Sequence, residues 1–255
     1  MMINDLETNC KTIKYVDDTT LYHVSSNTAD VSLQQAVDTA ANWSSKNDMR
    51  LNASKTKEIL ISFAKIQPDV SKIVVDNTEV ERVTQFTLLG LKLSASLNWE
   101  EHCSKIIKRA NTRLFFLKQL KRAKVPPKDI VASFISVVRP ILEYACQVWH
   151  PGLTIEQHDL LENIQARALK IAYPTHEYSQ ALKESDIPTL KARRTDLCKR
   201  LFNDMQKESH MIHDLLPMPR DNAHSTRHAT KYPLPRVKTE RFKKSFLNYC
   251  LFNFQ

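Results

Sequence analysis

A chain of 255 residues with 37 Lys+Arg against 28 Asp+Glu carries a formal charge of +9 and is long enough to bury a real core in one or two domains. Its two glycines, Gly90 and Gly152, exclude a Gly-rich phosphate loop and a dinucleotide fingerprint, both of which need several glycines close together. Five cysteines without a Cys-x-x-Cys pair exclude a zinc ribbon or knuckle, and a hydrophobic fraction of 42% argues against wholesale disorder.

Thr12 to Val16 and Thr19 to Val24 are rich in β-branched and aromatic residues and predict a hairpin, with Asp17-Asp18 as its connection. Residues 30–46 predict a helix with apolar Val31, Leu33, Ala36, Val37, Ala40 and Ala41 and with Asp30 as N-cap. Residues 58–63 predict a strand, and residues 73–83 a second hairpin turning at Asp76-Asn77-Thr78. Residues 86–93 predict another strand, whose interior Gly90 marks a bulge or a close backbone approach. From Asn98 the pattern becomes helical, with helices near 99–122, 127–138, 141–149, 156–172 and 188–207, punctuated by prolines. Pro217, Pro219, Pro233 and Pro235 make residues 214–236 an irregular linker, followed by a short amphipathic piece at 241–249. The expected organisation is α+β: a β-rich module at 1–95, a helical module at 96–207 and a basic, irregular C-terminal tail at 208–255.

The charge is banded. Residues 1–104 carry a net −4, 105–128 a net +9, 129–190 a net −4 and 191–255 a net +8. Two basic blocks between neutral or acidic stretches suit a polyanionic partner, although solvated helix faces read the same way. Between Lys105 and Arg122, the apolar residues Ile106, Ile107, Ala110, Leu114 and Leu117 recur at helical spacing. Lys105, Lys108, Arg109, Lys118 and Arg122 lie mostly off that stripe, where cationic groups can meet phosphates. The start lacks the basic and apolar regions of a signal peptide, and the apolar stretch 130–149 is broken by Arg139, Pro140 and Glu143, so no membrane span and an intracellular location, nuclear or cytoplasmic, are expected. His210 with His213 and His224 with His228 have metal-compatible spacing, but no nearby cysteine, and read as surface histidines.

Tyr15-Val16-Asp17-Asp18 carries the strongest chemical signal. Hairpin turns favour Asn-Gly or Asp-Gly, and two adjacent carboxylates repel unless a cation lies between them and a phosphate. A solvated turn that happens to hold two acids is the plain alternative. The residues around it weigh against that. Trp43 to Lys57, Phe86-Thr87-Leu88-Leu89-Gly90, Leu97 to His102, Arg139 to Ala145, Val148-Trp149-His150-Pro151, Glu162 to Ala168 and Arg241 to Phe246 follow in order.

This ordered set resembles the reverse transcriptases of non-LTR (LINE-type) retrotransposons of the jockey/CR1 kind, over nearly the whole chain. The resemblance implies a partial polymerase palm, with a small antiparallel sheet, hairpins and a helix, then a helical thumb and C-terminal region. It implies that Asp17 and Asp18 are catalytic ligands of Mg²⁺ or Mn²⁺ in two-metal nucleotidyl transfer. Tyr15 and Val16 would then lie at the primer terminus, and Leu88 and Gly90 in the primer grip. Lys55 would protonate the departing pyrophosphate, with Lys57 as its competitor. Lys105, Lys108, Arg109, Lys118 and Arg122 would track the template–primer backbone. The implied partners are an RNA template, an RNA–DNA hybrid and, for the parent enzyme, deoxynucleotide triphosphates. The family's third carboxylate and its fingers precede the acid pair, whereas only 14 residues precede Tyr15, and Asp5 matches no motif. The chain is therefore expected to be inactive alone; the alternative is a non-catalytic module that binds RNA or RNA–DNA hybrid.

Overall fold

A computed structural model describes residues 5–26, 29–220 and 230–255. The protein is α+β and divides into two compact units, Met1–Leu97 and Asn98–Gln255.

In the first unit, β1 (Lys11–Tyr15) and β2 (Asp18–Tyr22) pair antiparallel with Tyr15 opposite Asp18. The turn residues are therefore Val16 and Asp17, and Asp18 already belongs to a strand. Helix α1 (Ser32–Lys46) buries Ala36, Ala40 and Ser44, a stripe of small side chains spaced by four, and packs against β2 and β4 (Val74–Val75). It begins one residue later than Asp30 as N-cap requires, yet the Asp30 carboxylate still accepts the Ser32 N–H at 2.9 Å. The Gln34 side chain pairs with both backbone groups of Val74, donating to its carbonyl at 2.8 Å and accepting from its N–H at 2.9 Å. A side-chain amide thus occupies the place of a neighbouring strand.

Where a strand over 58–63 is expected, only β3 (Lys57–Glu58) is in a ladder, and it runs parallel to β6 (Glu81–Arg82). Ile61 and Phe63 are exposed and residues 59–63 enter no ladder, so β-propensity alone does not make a strand there. The short ladder is clasped by Arg82, whose guanidinium donates to both carboxylate oxygens of Glu58 at 3.0 Å and to the carbonyls of Val70 and Ser71. β4 pairs with β5 (Thr78–Glu79) through Asp76 and Asn77, both left-handed.

The single strand expected at 86–93 is instead a hairpin of β7 (Gln85–Leu88) and β8 (Leu91–Ser94). Its turn places Leu89 at φ 44° and Gly90 at φ 86°. Gly90 is there for backbone sign, not for a bulge. The strands form four two-stranded ladders among the described residues, not one continuous sheet. A few residues, among them Leu6, Ala36, Val75 and Val80, form the unit's small core.

The second unit is helical. α2 (Glu100–Arg122) buries His102, Cys103, Ile106, Ala110, Leu114 and Leu117 at spacings near one turn. Glu100 and Glu101 open it and Lys121 and Arg122 close it, each charge complementing the helix dipole. α3 (Pro127–Ser133) begins on a proline and widens into a π turn at Phe134–Val138 before α4 (Arg139–Glu143). Pro140 causes the widening: it has no N–H to offer, and its ring collides with the carbonyl four residues back.

The helix expected at 141–149 breaks at left-handed Ala145 (φ 47°) and resumes as α5 (Cys146–Trp149) with a 3-10 turn at His150–Gly152. Gly152 lies against the Trp99 indole; a Cβ there would stand 2.7 Å from Nε1. α6 (Ile155–Ala172) starts on a Thr154–Gln157 capping box and packs against α2, α3, α7 (Tyr178–Ser185) and α8 (Leu190–Met205). The half-buried Glu162 carboxylate joins three of these helices, accepting the Leu190 and Lys191 N–H groups at 3.0 and 3.1 Å and the Tyr178 hydroxyl.

The end of the chain is not a separate irregular tail. α9 (Glu240–Lys243) leads into α10 (Phe246–Asn253), and Cys250 and Leu251 are buried with Phe202 of α8 and with Tyr232. The apolar residues of Phe246–Phe254 supply the core contacts that charge-based reading of this segment passes over. Cys103, Cys146, Cys198 and Cys250 are buried free thiols of the second unit, and Cys10 is a half-buried free thiol of the first.

Candidate nucleic-acid interface

The expected catalytic acids sit on the first hairpin. Asp17 and Asp18 are exposed, as are Tyr15 (60%) and Val16 (79%). Val16 has φ 56°. A β-branched residue in the left-handed region is a true outlier, because its Cβ substituents crowd the following peptide, and glycine or asparagine would hold the same turn without strain. Tyr15 and Asp18, being paired, share one face of the ladder with Ile13 and Thr20.

Adjacent exposed carboxylates, one on the turn and one at the start of β2, are oxygen donors of the kind Mg²⁺ takes together with phosphate oxygens and water. They do not by themselves close a two-ion site, since no group of three or more metal-ligating side chains occurs among the described residues. Asp5 is engaged elsewhere: its carboxylate accepts the Trp43 indole N–H at 3.2 Å.

Lys55 and Lys57 are clearly different in the structure. The Lys57 ammonium donates to Glu81 and to the Ser54 carbonyl. Lys55 is exposed, held only through its backbone N–H to Asn52, with its ammonium unengaged among the described residues. Leu88 is half-buried opposite Leu91, and Gly90 is exposed at the tip of the β7–β8 hairpin. The two hairpins belong to separate ladders, and Lys55 lies on a turn between α1 and β3.

In the helical unit, Lys108, Arg109, Lys118 and Arg122 are exposed and Lys105 is half-buried. Arg113 is exposed as well, and none of these six cations pairs with a carboxylate among the described residues. They do not share one narrow face. At about 3.6 residues per turn, Lys108, Lys118 and Arg122 fall within roughly 80° of arc, while Lys105 and Arg109 lie further round. Lys118 borders a trench between α2 and α6 whose walls include Asn111, Asn163, Arg167 and Lys170. Arg167 and Lys170 were not singled out by sequence spacing, though they stand three apart on one face of α6. The motif Glu162 to Ala168 divides by facing: Glu162 and Gln165 bond α7 and α8, whereas Asn163 and Arg167 line the trench.

Within the motif Val148 to Pro151, Trp149, His150 and Pro151 are buried, while Val148 is exposed. Trp149 is fully buried and donates to the Tyr144 carbonyl at 3.0 Å. The buried Arg194 guanidinium lies 5.7 Å from the Trp149 ring and donates through Nε to His150 Nδ1 at 3.3 Å. Because that nitrogen accepts, His150 Nε2 holds the proton and donates to Thr195 Oγ1 at 3.1 Å. Burial, then the charge of Arg194, lowers the His150 pKa to about 3. Burial, then Lys105, lowers that of His102 to about 4.

His213 meets the Met205 carbonyl, and His210 accepts the Ile212 N–H; His224 and His228 lie outside the described residues. No helix among the described residues is long and apolar enough to cross a membrane.

A family model described as "Alkylated DNA repair protein alkB homolog 8, N-terminal" matches residues 99–132, a stretch limited to α2 and all but the last residue of α3. The chain is 24% identical over 161 residues to a "Probable RNA-directed DNA polymerase from transposon BS" of Drosophila melanogaster, covering 61% of this chain and 18% of that protein. The chain thus spans less than a fifth of the length of that relative, and the relationship is reverse-transcriptase-like. No solved structure matches it.

Proposed function

We propose that the chain is a segment of a non-LTR retrotransposon reverse transcriptase, comprising part of the palm, the thumb and the region beyond it. In the whole enzyme Asp17 and Asp18 would hold Mg²⁺ or Mn²⁺, which would neutralise the charge of an incoming deoxynucleotide triphosphate. The observation that carries this reading is the strained turn: two exposed carboxylates follow Val16, held at φ 56° where a strain-free residue would serve a mere loop. The 24% identity to a transposon polymerase supports the same assignment. Lys55, not Lys57, suits the proton donor, since its ammonium is exposed and uncommitted while Lys57 is tied to Glu81. Leu88 and Gly90 suit a hairpin tip that approaches a primer backbone.

The unpaired cations of α2 support a second reading, in which this chain binds RNA or RNA–DNA hybrid without performing chemistry. Asp17 and Asp18 alone leave the two-ion site incomplete, so the chain by itself is expected to bind hybrid and not to extend a primer. The test combines primer extension on an RNA template in Mg²⁺ with hybrid binding by fluorescence anisotropy, for wild type, Asp17→Ala and Asp18→Ala. The expected result is no incorporation in any form and equal affinity in all three. Incorporation above background by wild type, lost in either variant, would replace the binding reading with an active polymerase.

A further inference from the structure

The outward face of α2 carries an aromatic ring that neither the core nor the acid-bearing hairpin uses. Phe115 is 61% exposed, next to Leu114, which is buried. Residues three and four apart on a helix are neighbours, so Phe115 is flanked by Asn111 and Lys118, with Lys108 and Arg122 a turn further in each direction. Asn111 and Lys118 stand on two adjoining spaces of the trench along α6 that share Arg167 and Lys170; the larger, of about 570 Å³, holds Asn111 and is closed on its far side by Glu177, Tyr178 and Ala181, and the smaller holds Lys118. Across that trench lie Arg167, which donates to Asn111 Oδ1, and Lys170. Glu177 is the acid among the lining residues, against the cations Lys118, Arg167 and Lys170.

A helix that only tracks the phosphates of a duplex needs cations and gains nothing from a bare phenyl ring in water. A ring set among unpaired cations, beside a largely apolar trench that carries Arg167 and Lys170 on its wall, is an arrangement that can hold unpaired nucleotides. There the base stacks on the aromatic face while Lys and Arg take the flanking phosphates.

We propose that Phe115, Lys118, Arg122, Arg167 and Lys170 form a binding site for single-stranded polynucleotide, with Phe115 stacking on an unpaired base and the trench receiving the adjoining phosphates. The site rests on the reading that α2 faces nucleic acid, and it needs no chemistry at Asp17.

The test is fluorescence anisotropy with the full chain and labelled oligouridylate, oligothymidylate and RNA–DNA hybrid, each of about 20 nucleotides. Phe115→Ala is expected to weaken both single strands about tenfold and to change hybrid affinity by less than about twofold, and Phe115→Trp to restore single-strand binding. Phe116→Ala, on the neighbouring arc beside Arg109, is expected to leave single-strand binding unchanged. The Arg167→Ala, Lys170→Ala double variant is expected to lower the salt slope for single strands by about 1 to 1.5. Preference for uridylate or thymidylate reports whether RNA or DNA is the better ligand, and either supports the site. Unchanged single-strand affinity in Phe115→Ala, or an equal loss on hybrid, overturns the proposal while the nucleic-acid reading of α2 stands. Failure of wild type to bind hybrid as well as single strands sinks both. A change in sedimentation on Phe115→Ala with unaltered nucleic-acid affinity assigns the face to a protein partner and overturns the proposal.

Discussion

Acid should destabilise the helical unit before its carboxylates titrate. His102 and His150 are buried, at 1% and 3% exposure, and their pKa values fall to about 4 and about 3 because burial disfavours the imidazolium form and nearby Lys105 and Arg194 repel it. The unfolded chain protonates both near the ordinary value of about 6.5, so it binds more protons than the folded chain at any pH between these limits. Stability is therefore full above about pH 6.5 and is lost as the pH falls towards the folded values. At about pH 5 each histidine has forfeited on the order of 2 kcal/mol, and the pair about 4 kcal/mol, a large share of the roughly 5–15 kcal/mol of a whole domain. Half-buried His158, also lowered to about 4 by burial and then Arg194, adds to this. The assay is urea unfolding followed by helical circular dichroism at about pH 7 and about pH 5, above the range where Glu and Asp take up protons. The urea midpoint should drop markedly at the lower pH. Equal midpoints would refute the reasoning, since they would mean that these imidazoles meet the same environment folded and unfolded.

Gly152→Ala places a methyl group 2.7 Å from the Trp99 indole nitrogen and 2.9 Å from its Cδ1, so the α2 start must shift; a loss of about 1–3 kcal/mol in the same urea assay is expected, and a change under about 0.5 kcal/mol would contradict it. Leu89→Asn puts Asn-Gly into a turn whose two residues are both left-handed, and should strengthen the β7–β8 hairpin by about 0.5–1 kcal/mol, read as slower amide exchange in Gln85–Ser94; faster exchange would count against the turn assignment. Arg82→Met strands the Glu58 carboxylate, which is 10% exposed, and frees two carbonyls; a cost of about 2–4 kcal/mol to the first unit is expected by limited proteolysis near residues 57–83, with partial recovery when Glu58→Leu is added.

The helices of the second unit were legible because their apolar spacing agrees with their packing: the residues from Ile106 to Leu117 that repeat at three and four are largely those that α2 buries. Prolines marked the breaks, although α7 escaped notice because Ala181 is its one buried residue. The strands were less legible. Residues 59–63 have strand composition but enter no ladder, while 86–93 fold back at Leu89, where a leucine gives no sign of a turn. In the acid-bearing hairpin, composition located both strands, but the turn fell one residue earlier than the acid pair suggested, because the demand for a left-handed residue is met by Val16. The trench residues Arg167 and Lys170 were hidden for a different reason: they are far from α2 in sequence, and only the packing of α6 on α2 brings them to it.

The placement of the thiols gives the molecule a built-in reporter. Cys103, Cys146, Cys198 and Cys250 are sealed in α2, α5, α8 and α10, and burial is the first cause of the raised pKa of each, whereas Cys10 alone lies in the first unit, half-open to solvent. Alkylation proceeds through the thiolate and requires access. A pulse of small electrophile followed by peptide mass analysis would therefore mark Cys10 early and the four sealed thiols only as the second unit opens, and would show whether a bound polynucleotide slows that opening.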